Sequence, residues 1–211
     1  MRKFLLVCGV LSSLFYIAIN IIVALQYEGY DAFSQTVSEL SAIGTPTRSL
    51  WVVLVTIYSI LLLAFGWGIL KSAGQSRQLK IAGILMIVCL VIGLFWPPMH
   101  QRAAIAAGEK SLSDTLHIAF TFITVPLWML IIGFAAAAFG KGFRLYSVFT
   151  VLAMIIFGVL TGLDSPQLEA DLPTPWMGVW ERISIGAYMI WIIVLAILLM
   201  RDHPMHPTKA A

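Results

Sequence analysis

Six long apolar runs divide this chain, and they constrain its fold more than any other feature. They cover residues 4–26, 50–70, 79–97, 116–139, 144–163 and 183–200. Each is near the ~20 residues that a helix needs to cross the hydrocarbon core of a bilayer. Lipid offers the backbone no hydrogen-bond partners, so each run must be helical. We therefore predict an all-α polytopic membrane bundle of six transmembrane helices, with residues 1–211 forming a single membrane domain.

The composition agrees with a membrane protein and excludes some alternatives. Of the 211 residues, 60% are hydrophobic and 11% are charged, whereas about a quarter are charged in a soluble domain. The first run is too long for a signal-peptide core and ends in Leu25-Gln26-Tyr27, so an uncleaved helix is expected. Cys8 and Cys89 both lie in apolar runs, which argues against a disulfide. The sequence has no basic stripe interleaved with aromatic residues, so nucleic acid is not an expected partner.

The C-terminal segment 201–211 is polar and interrupted by proline, and we predict a flexible cytoplasmic tail there. His203 and His206 fall in it and are interpreted as solvated side chains.

The distribution of charge predicts the orientation of the six helices. One side of the membrane would carry nine of the 13 basic residues, and the other would carry four basic residues and nine of the ten acidic ones. By the positive-inside rule the side with nine cations is cytoplasmic. Both termini would then be cytoplasmic in an inner or plasma membrane, with the lipid bilayer as the immediate partner.

Almost every group capable of chemistry is then expected on the outer, periplasmic or extracellular side. The apolar runs carry no ionisable side chain deep within them, which argues against transport through a charged central site. The densest polar stretch joins the third and fourth runs and extends from Trp96-Pro97-Pro98-Met99-His100 to Asp114-Thr115-Leu116-His117.

The spacing of Asp114 and His117 places both side chains on one helix face. Asp114 would then orient the His117 imidazole, which would serve as a general base or metal ligand. Alternatively, Asp114 is only the N-cap of the helix and His117 a polar residue in its first turn. If His100 faces His117, it would be an acid or a second ligand, and His100, His117 and Asp114 would hold a divalent metal such as zinc.

Three other connections supply further candidate residues. Ser38 and Glu39 are a possible nucleophile and acid, although no Gly-x-Ser-x-Gly elbow is present. Glu181 and Arg182 open the sixth helix, and Arg182 at a helix N-terminus needs an anionic partner. That partner would be a phosphate headgroup or the carboxylate of Glu39, Asp114 or Asp164.

Four segments of the chain together resemble a family of prokaryotic membrane proteins known as domain of unknown function 998. They are Ser34 to Arg48, Phe95-Trp96-Pro97-Pro98-Met99-His100, Asp114-Thr115-Leu116-His117 and Trp180-Glu181-Arg182-Ile183. The resemblance spans nearly the whole chain and implies six spans with no assigned reaction. It singles out seven positions: Ser38, Glu39, Gly44, Pro46, His117, Glu181 and Arg182. A looser similarity is to alkaline-ceramidase-like hydrolases, but this chain lacks their third outer histidine and seventh helix.

Three functions follow from these features. The first is a hydrolase or headgroup-transfer enzyme acting on lipid or a small periplasmic molecule, with Ser38, Glu39, His100, Asp114 and His117 as catalytic residues and Asp164, Glu181 and Arg182 as binding residues. The second is a non-enzymatic bundle that stabilises or assembles with another membrane protein. The third is a transporter of a small solute, for which Pro126 lacks the paired counterpart expected of an inverted repeat.

Overall fold

The computed structural model describes residues 1–201. The predictions made for the tail beyond Arg201, including those for His203 and His206, lie outside the described residues. Seven α-helices fill the described part of the chain: α1 Arg2–Leu25, α2 Arg48–Ser72, α3 Arg77–Gly93, α4 Arg102–Ala106, α5 Leu112–Ala137, α6 Lys141–Glu169 and α7 Met177–Arg201. Six of them overlap the six apolar runs, and the short helix α4 lies in the third connection.

Five of these helices, α1, α2, α5, α6 and α7, are long and apolar enough to cross a membrane. Helix α3 has only 17 residues, which is about 26 Å of helix. It ends at Gly93 rather than at residue 97. Pro97 and Pro98 lack backbone N–H groups, and each disfavours helical geometry in the residue before it, so the chain leaves the helix before them. The count of six spans stays a prediction.

Helices α6 and α7 extend further towards the polar loops than their apolar runs do. Helix α6 continues through Asp164 and Pro166 to Glu169, and α7 begins at Met177, six residues before the apolar run that starts at residue 183. Hydropathy reports which residues suit the lipid interior, whereas a helix can continue into polar sequence if its side chains find partners there.

Most helices pack against a neighbour in sequence, and the buried side chains form one large cluster and a smaller one around Ile19, Val23 and Leu40. Helix α1 packs against α2 and α7, α3 packs between α2 and α5, and α6 packs against α7. Fully buried side chains include Phe65, Met86 and Trp191. The indole of Trp191 donates to Ser147 Oγ at 2.9 Å, which satisfies its polar group inside the bundle. Cys8 and Cys89 are buried and free, as predicted.

The two ends of the bundle differ in charge. The basic end consists of the N-terminal ends of α1, α3 and α6 and the C-terminal ends of α2, α5 and α7. Within residues 1–201 it carries eight basic residues and no acidic one: Arg2, Lys3, Lys71, Arg77, Lys80, Lys141, Arg144 and Arg201. The opposite end, here called the polar end, carries all the predicted site residues of the described chain.

Candidate functional site

The loop between α1 and α2, residues 26–47 and here called the first loop, is the centre of the polar end. Its middle forms a 3₁₀ turn, Val37–Ser41. A capping box fixes the start of this turn, because the Glu39 carboxylate accepts from the backbone N–H of Thr36 at 2.9 Å. Side chains from α4, α5 and α7 converge on this turn and on the residues just before it.

One pair of predicted catalytic residues joins the 3₁₀ turn to α5. His117 Nε2 lies 3.1 Å from Ser38 Oγ. On its other side the imidazole is fixed by the segment that follows α3: Nδ1 lies 2.7 Å from the carbonyl oxygen of Pro97 and 3.0 Å from the indole Nε1 of Trp96. The Trp96 ring also packs edge-on against His117, with centroids 5.5 Å apart. Ser38 and His117 are both only partly buried.

The tautomer of His117 decides what this pair can do. A carbonyl only accepts and an indole N–H only donates, so Nδ1 serves one of its two neighbours at a time. With the proton on Nδ1, the ring donates to Pro97 and its Nε2 lone pair faces the Ser38 hydroxyl. With the proton on Nε2, the ring accepts from Trp96 and donates to Ser38. The first arrangement is that of a nucleophile and its general base.

His100 and Asp114 form a second pair. His100 Nδ1 lies 2.8 Å from Asp114 Oδ2, and the His100 backbone N–H donates to Oδ1 at 2.7 Å. The same carboxylate accepts from the backbone N–H of Ser111 at 2.9 Å in a capping box whose N-cap is Ser111. The prediction that Asp114 orients His117 is therefore wrong, as is its assignment as N-cap: Asp114 sits at the third position of α5 and orients His100.

Glu39 is buried in an ion pair with Arg102 of α4. The guanidinium donates from Nε to Oε2 and from Nη2 to Oε1, both at 2.8 Å, and the carboxylate side chain is only 3% exposed. Arg102 also donates to the Ser34 carbonyl and to Thr174 Oγ1. These bonds to Glu39 raise the pKa of Arg102 above its usual value. Glu39 is thus a buried structural anion and not a free acid.

Arg182 binds the backbone of the first loop. Its Nη1 donates to the carbonyl oxygens of Ala32 and Gln35, both at 2.8 Å, and its Nη2 contacts the Tyr30 hydroxyl. The expectation of a carboxylate partner is wrong, because carbonyl oxygens take that place within residues 1–201. Burial raises the pKa of Tyr30 to about 12, so its hydroxyl is neutral at physiological pH and can donate to the Thr36 carbonyl at 2.8 Å.

The other two predicted binding residues have different environments. The Glu181 carboxylate accepts from the backbone N–H of Val37 at the start of the 3₁₀ turn. Within residues 1–201, the side-chain hydrogen bond of Asp164 stays in its own helix, where it accepts from Gln167 Nε2 at 3.4 Å. The structure therefore brings Glu181 into the cluster and leaves Asp164 outside it.

The residues predicted to bind zinc do not converge on one point. Both ring nitrogens of His117 face Ser38, Trp96 and Pro97, while His100 and Asp114 face each other. Among residues 1–201, no three His, Cys, Asp or Glu side chains are placed to share a metal ion. The donor set therefore does not fit a zinc site built on these residues.

Sequence reasoning missed three residues that shape this site: Tyr30, Arg102 as the partner of Glu39, and Gly178. A Cβ atom on Gly178 would lie 2.2 Å from the Gln35 carbonyl oxygen and 2.5 Å from that of Ala32, so only glycine lets α7 approach the first loop so closely. The sequence contained a signal for one of these residues. Arg102 is one of four cations at an acid-rich end, which favours a carboxylate partner, whereas nothing local identifies Gly178.

A bundle of long apolar helices, with most of its ionisable side chains at the ends, is the architecture of a multi-pass membrane protein. Residues 10–198 match the family described as Protein of unknown function (DUF998). The match covers most of the chain, and the protein belongs to this family. No curated protein matches the sequence, and no solved structure does.

Proposed function

We propose that this protein is a membrane enzyme that hydrolyses or transfers an ester group at the membrane surface. Ser38 is the nucleophile and His117 is its general base. The observation that carries the proposal is the 3.1 Å approach of His117 Nε2 to Ser38 Oγ, with Nδ1 held against the Pro97 carbonyl. A base held on its far side by a hydrogen-bond acceptor is the arrangement that activates a hydroxyl.

The reaction proceeds in two steps. Ser38 Oγ attacks the carbonyl carbon of an ester while its proton passes to His117 Nε2. The tetrahedral intermediate then breaks the bond to the alcohol, which takes that proton from His117 and leaves. Water, or a second alcohol, next attacks the acyl-Ser38 ester and gives a proton to His117, and Ser38 regains the proton as the acid or new ester departs.

The remaining residues of the cluster act by positioning the pair. Glu39 and Arg102 tie the 3₁₀ turn to α4, and Glu181 holds the N–H of Val37 from α7. His100 and Asp114 fix the segment after α3 against the first turn of α5. The nucleophile and base come from different helices, so their separation depends on these contacts.

The proposal includes an orientation in a cell membrane. The eight cations of the basic end favour its placement in the cytoplasm, with both termini there and α3 as a sixth, short span. The Ser38–His117 pair then faces the periplasm or the extracellular medium. Its substrate is an ester of a lipid headgroup region or of a small molecule on that side.

A fluorophosphonate probe tests the nucleophile without knowledge of the substrate. We expect covalent labelling of the purified protein at Ser38, none in Ser38→Ala, and a rate lower by about 10²–10⁴ in His117→Ala, the usual contribution of a general base. Ser41→Ala is the matched control, because Ser41 lies in the same turn and donates to the Ser38 carbonyl. Thermal stability of each variant is measured alongside.

Labelling that persists in Ser38→Ala, or its absence from well-folded native protein, would contradict the proposal. The second candidate function would then stand: a non-enzymatic bundle that assembles with another membrane protein. It is favoured by the number of polar groups that bind only within the protein, above all Arg182, which donates to Ala32, Gln35 and Gly178. Such bonds stabilise a fold and leave few donors and acceptors available to bind a ligand.

A further inference from the structure

A small polar cavity lies beside the residue that follows Ser38. It has a volume of about 180 Å³, and its lining residues are Tyr27, Gln35, Glu39, Gln101, Arg102 and Ala103. Pockets that bind drug-sized ligands have volumes of about 300–1,000 Å³, so this cavity accommodates only one small group. Glu39 directly follows Ser38 in the 3₁₀ turn, so one wall of the cavity is one residue from the proposed nucleophile.

The charges in the cavity wall cancel. Arg102 donates to both carboxylate oxygens of Glu39, and the Glu39 oxygens also accept from Thr36 and Gln35. An anionic ligand that approached Arg102 would meet the Glu39 carboxylate at the same point, and a cationic ligand would meet the guanidinium. The wall therefore disfavours phosphate and ammonium groups and favours an uncharged one.

The other lining groups fit a ligand with several hydroxyls. The Gln35 amide is already engaged, since its Nε2 donates to Glu39 Oε2 at 3.1 Å and its Oε1 accepts from the Asp31 backbone N–H at 2.7 Å, and it offers a ligand its second N–H. Gln101 donates one N–H to the Ile43 carbonyl at 3.3 Å, and within residues 1–201 its amide oxygen and second N–H face no protein partner. Tyr27 adds an aromatic ring, which stacks on Tyr30 with centroids 5.7 Å apart, and a phenolic hydroxyl. An aromatic ring beside amides suits the alternating C–H and O–H groups of a sugar or polyol.

We propose that this cavity binds a neutral, hydroxyl-rich group of the substrate, a sugar or polyol, and presents the molecule that carries it to Ser38. The reaction rests on the proposed function, whereas the binding does not. The hydroxyl-rich group belongs either to a lipid headgroup or to a free small molecule, and the chemistry of recognition is the same for both.

Native mass spectrometry of Ser38→Ala protein, released from a detergent without a sugar headgroup, tests the binding. The probes are monoglucosyl diacylglycerol, free glucose, phosphatidic acid and inorganic phosphate. We expect the glucolipid, or the glucolipid and glucose, to bind, and the two phosphate probes not to compete. Binding of glucose as well as the glucolipid means that the sugar suffices, and binding of the glucolipid alone identifies a membrane lipid as the source.

Gln101→Ala and Tyr27→Phe remove polar groups from the wall, and each should weaken binding of the sugar probe about tenfold, the effect of one or two hydrogen bonds. Gln167→Ala, at the polar end but outside the cavity, should bind as the parent does. Preference for phosphatidic acid, equal binding by all variants, or no sugar binding would overturn the proposal. Sugar binding without fluorophosphonate labelling would instead contradict the proposed reaction of Ser38 and support the assignment of the cavity as a sugar site.

Discussion

At the scale of single residues, Glu39 and Arg102 show how a membrane protein can bury charge at its surface. Their two parallel hydrogen bonds of 2.8 Å are the geometry that recovers most of the cost of removing a carboxylate from water. The carboxylate is 3% exposed and the guanidinium 28%. Removal of either partner leaves the other charge in a poorly hydrated site.

We therefore expect Glu39→Gln and Arg102→Gln each to lower the free energy of unfolding by about 3 kcal/mol. The double variant should lose less than the sum of the two, because it leaves no unpaired charge. Lys110 and Glu169 provide a control, since that ion pair is about half exposed on both sides. Lys110→Gln should cost less than about 1 kcal/mol.

Unfolding by titration with sodium dodecyl sulfate measures these differences. Strictly additive single effects would show that the two side chains do not interact in the folded protein. A loss as large in Lys110→Gln as in Glu39→Gln would show that exposure does not set the strength of these pairs.

Sequence reasoning identified individual residues of the site better than their partners. Ser38, His117 and Glu181 all lie in the cluster, as their polarity between apolar runs indicated. However, Ser38 and His117 are 79 residues apart in the chain, and Glu181 is 144 residues from its partner Val37. Only the packing of the helices brings such residues together, and no local periodicity records it. For this reason the prediction that Asp114 orients His117 was wrong. Helical spacing indicated the i, i+3 neighbour His117 as the partner of Asp114, whereas the structure pairs Asp114 with His100.

At the scale of secondary-structure elements, the first loop and the N-terminal end of α7 define the shape of the site. Two loop carbonyls approach Gly178 so closely that they leave no room for a side chain. The same carbonyls accept from Arg182 one turn later, and the Val179 N–H donates to the Phe33 carbonyl at 3.2 Å. The first loop therefore packs directly against the backbone of α7, and its position depends on the absence of a Cβ atom at Gly178.

Gly178→Ala should displace the loop from α7 and lower the free energy of unfolding by about 1–3 kcal/mol, as overpacking does in well-packed interiors. Gly186→Ala is the matched control in the same helix, where a Cβ atom meets no neighbour within 4 Å. It should be neutral or stabilise by up to about 1 kcal/mol, because alanine favours helix more than glycine does. Thermal unfolding in detergent compares them, and equal stability of the two variants would contradict the close contact.

The helices themselves were predictable, and their ends were less so. Each apolar run overlaps a helix, and this was expected because lipid demands internal hydrogen bonding along such a run. The ends depend on local polar chemistry instead: Pro97 and Pro98 follow an early end of α3, while the partners of Glu181 and Arg182 support an early start of α7. Hydropathy does not contain that information.

At the scale of the whole molecule, charge asymmetry and site location are linked. The eight cations of the basic end have no acidic neighbour at that end within residues 1–201, whereas the polar end combines four cations with nine acids. The surface between the two ends exposes large apolar side chains such as Phe122 and Ile60, which suits contact with lipid. The proposed orientation follows from this asymmetry, and it places Ser38 and His117 on the side away from the cytoplasm.

Single cysteines test that orientation in intact cells. Cys8 and Cys89 are buried, and a Cys8→Ala/Cys89→Ala background removes them. Glu109→Cys lies in the connection beyond α4 at the polar end, and Gln75→Cys lies between α2 and α3 at the basic end. A membrane-impermeant maleimide should label Glu109→Cys in intact cells and Gln75→Cys only after permeabilisation, because eight cations favour retention of the basic end in the cytoplasm. The reverse pattern would place the Ser38–His117 pair in the cytoplasm. Labelling of both positions in intact cells would place them on the same side of the membrane. Helix α3, which lies between them in the chain, would then not cross the bilayer as a sixth helix.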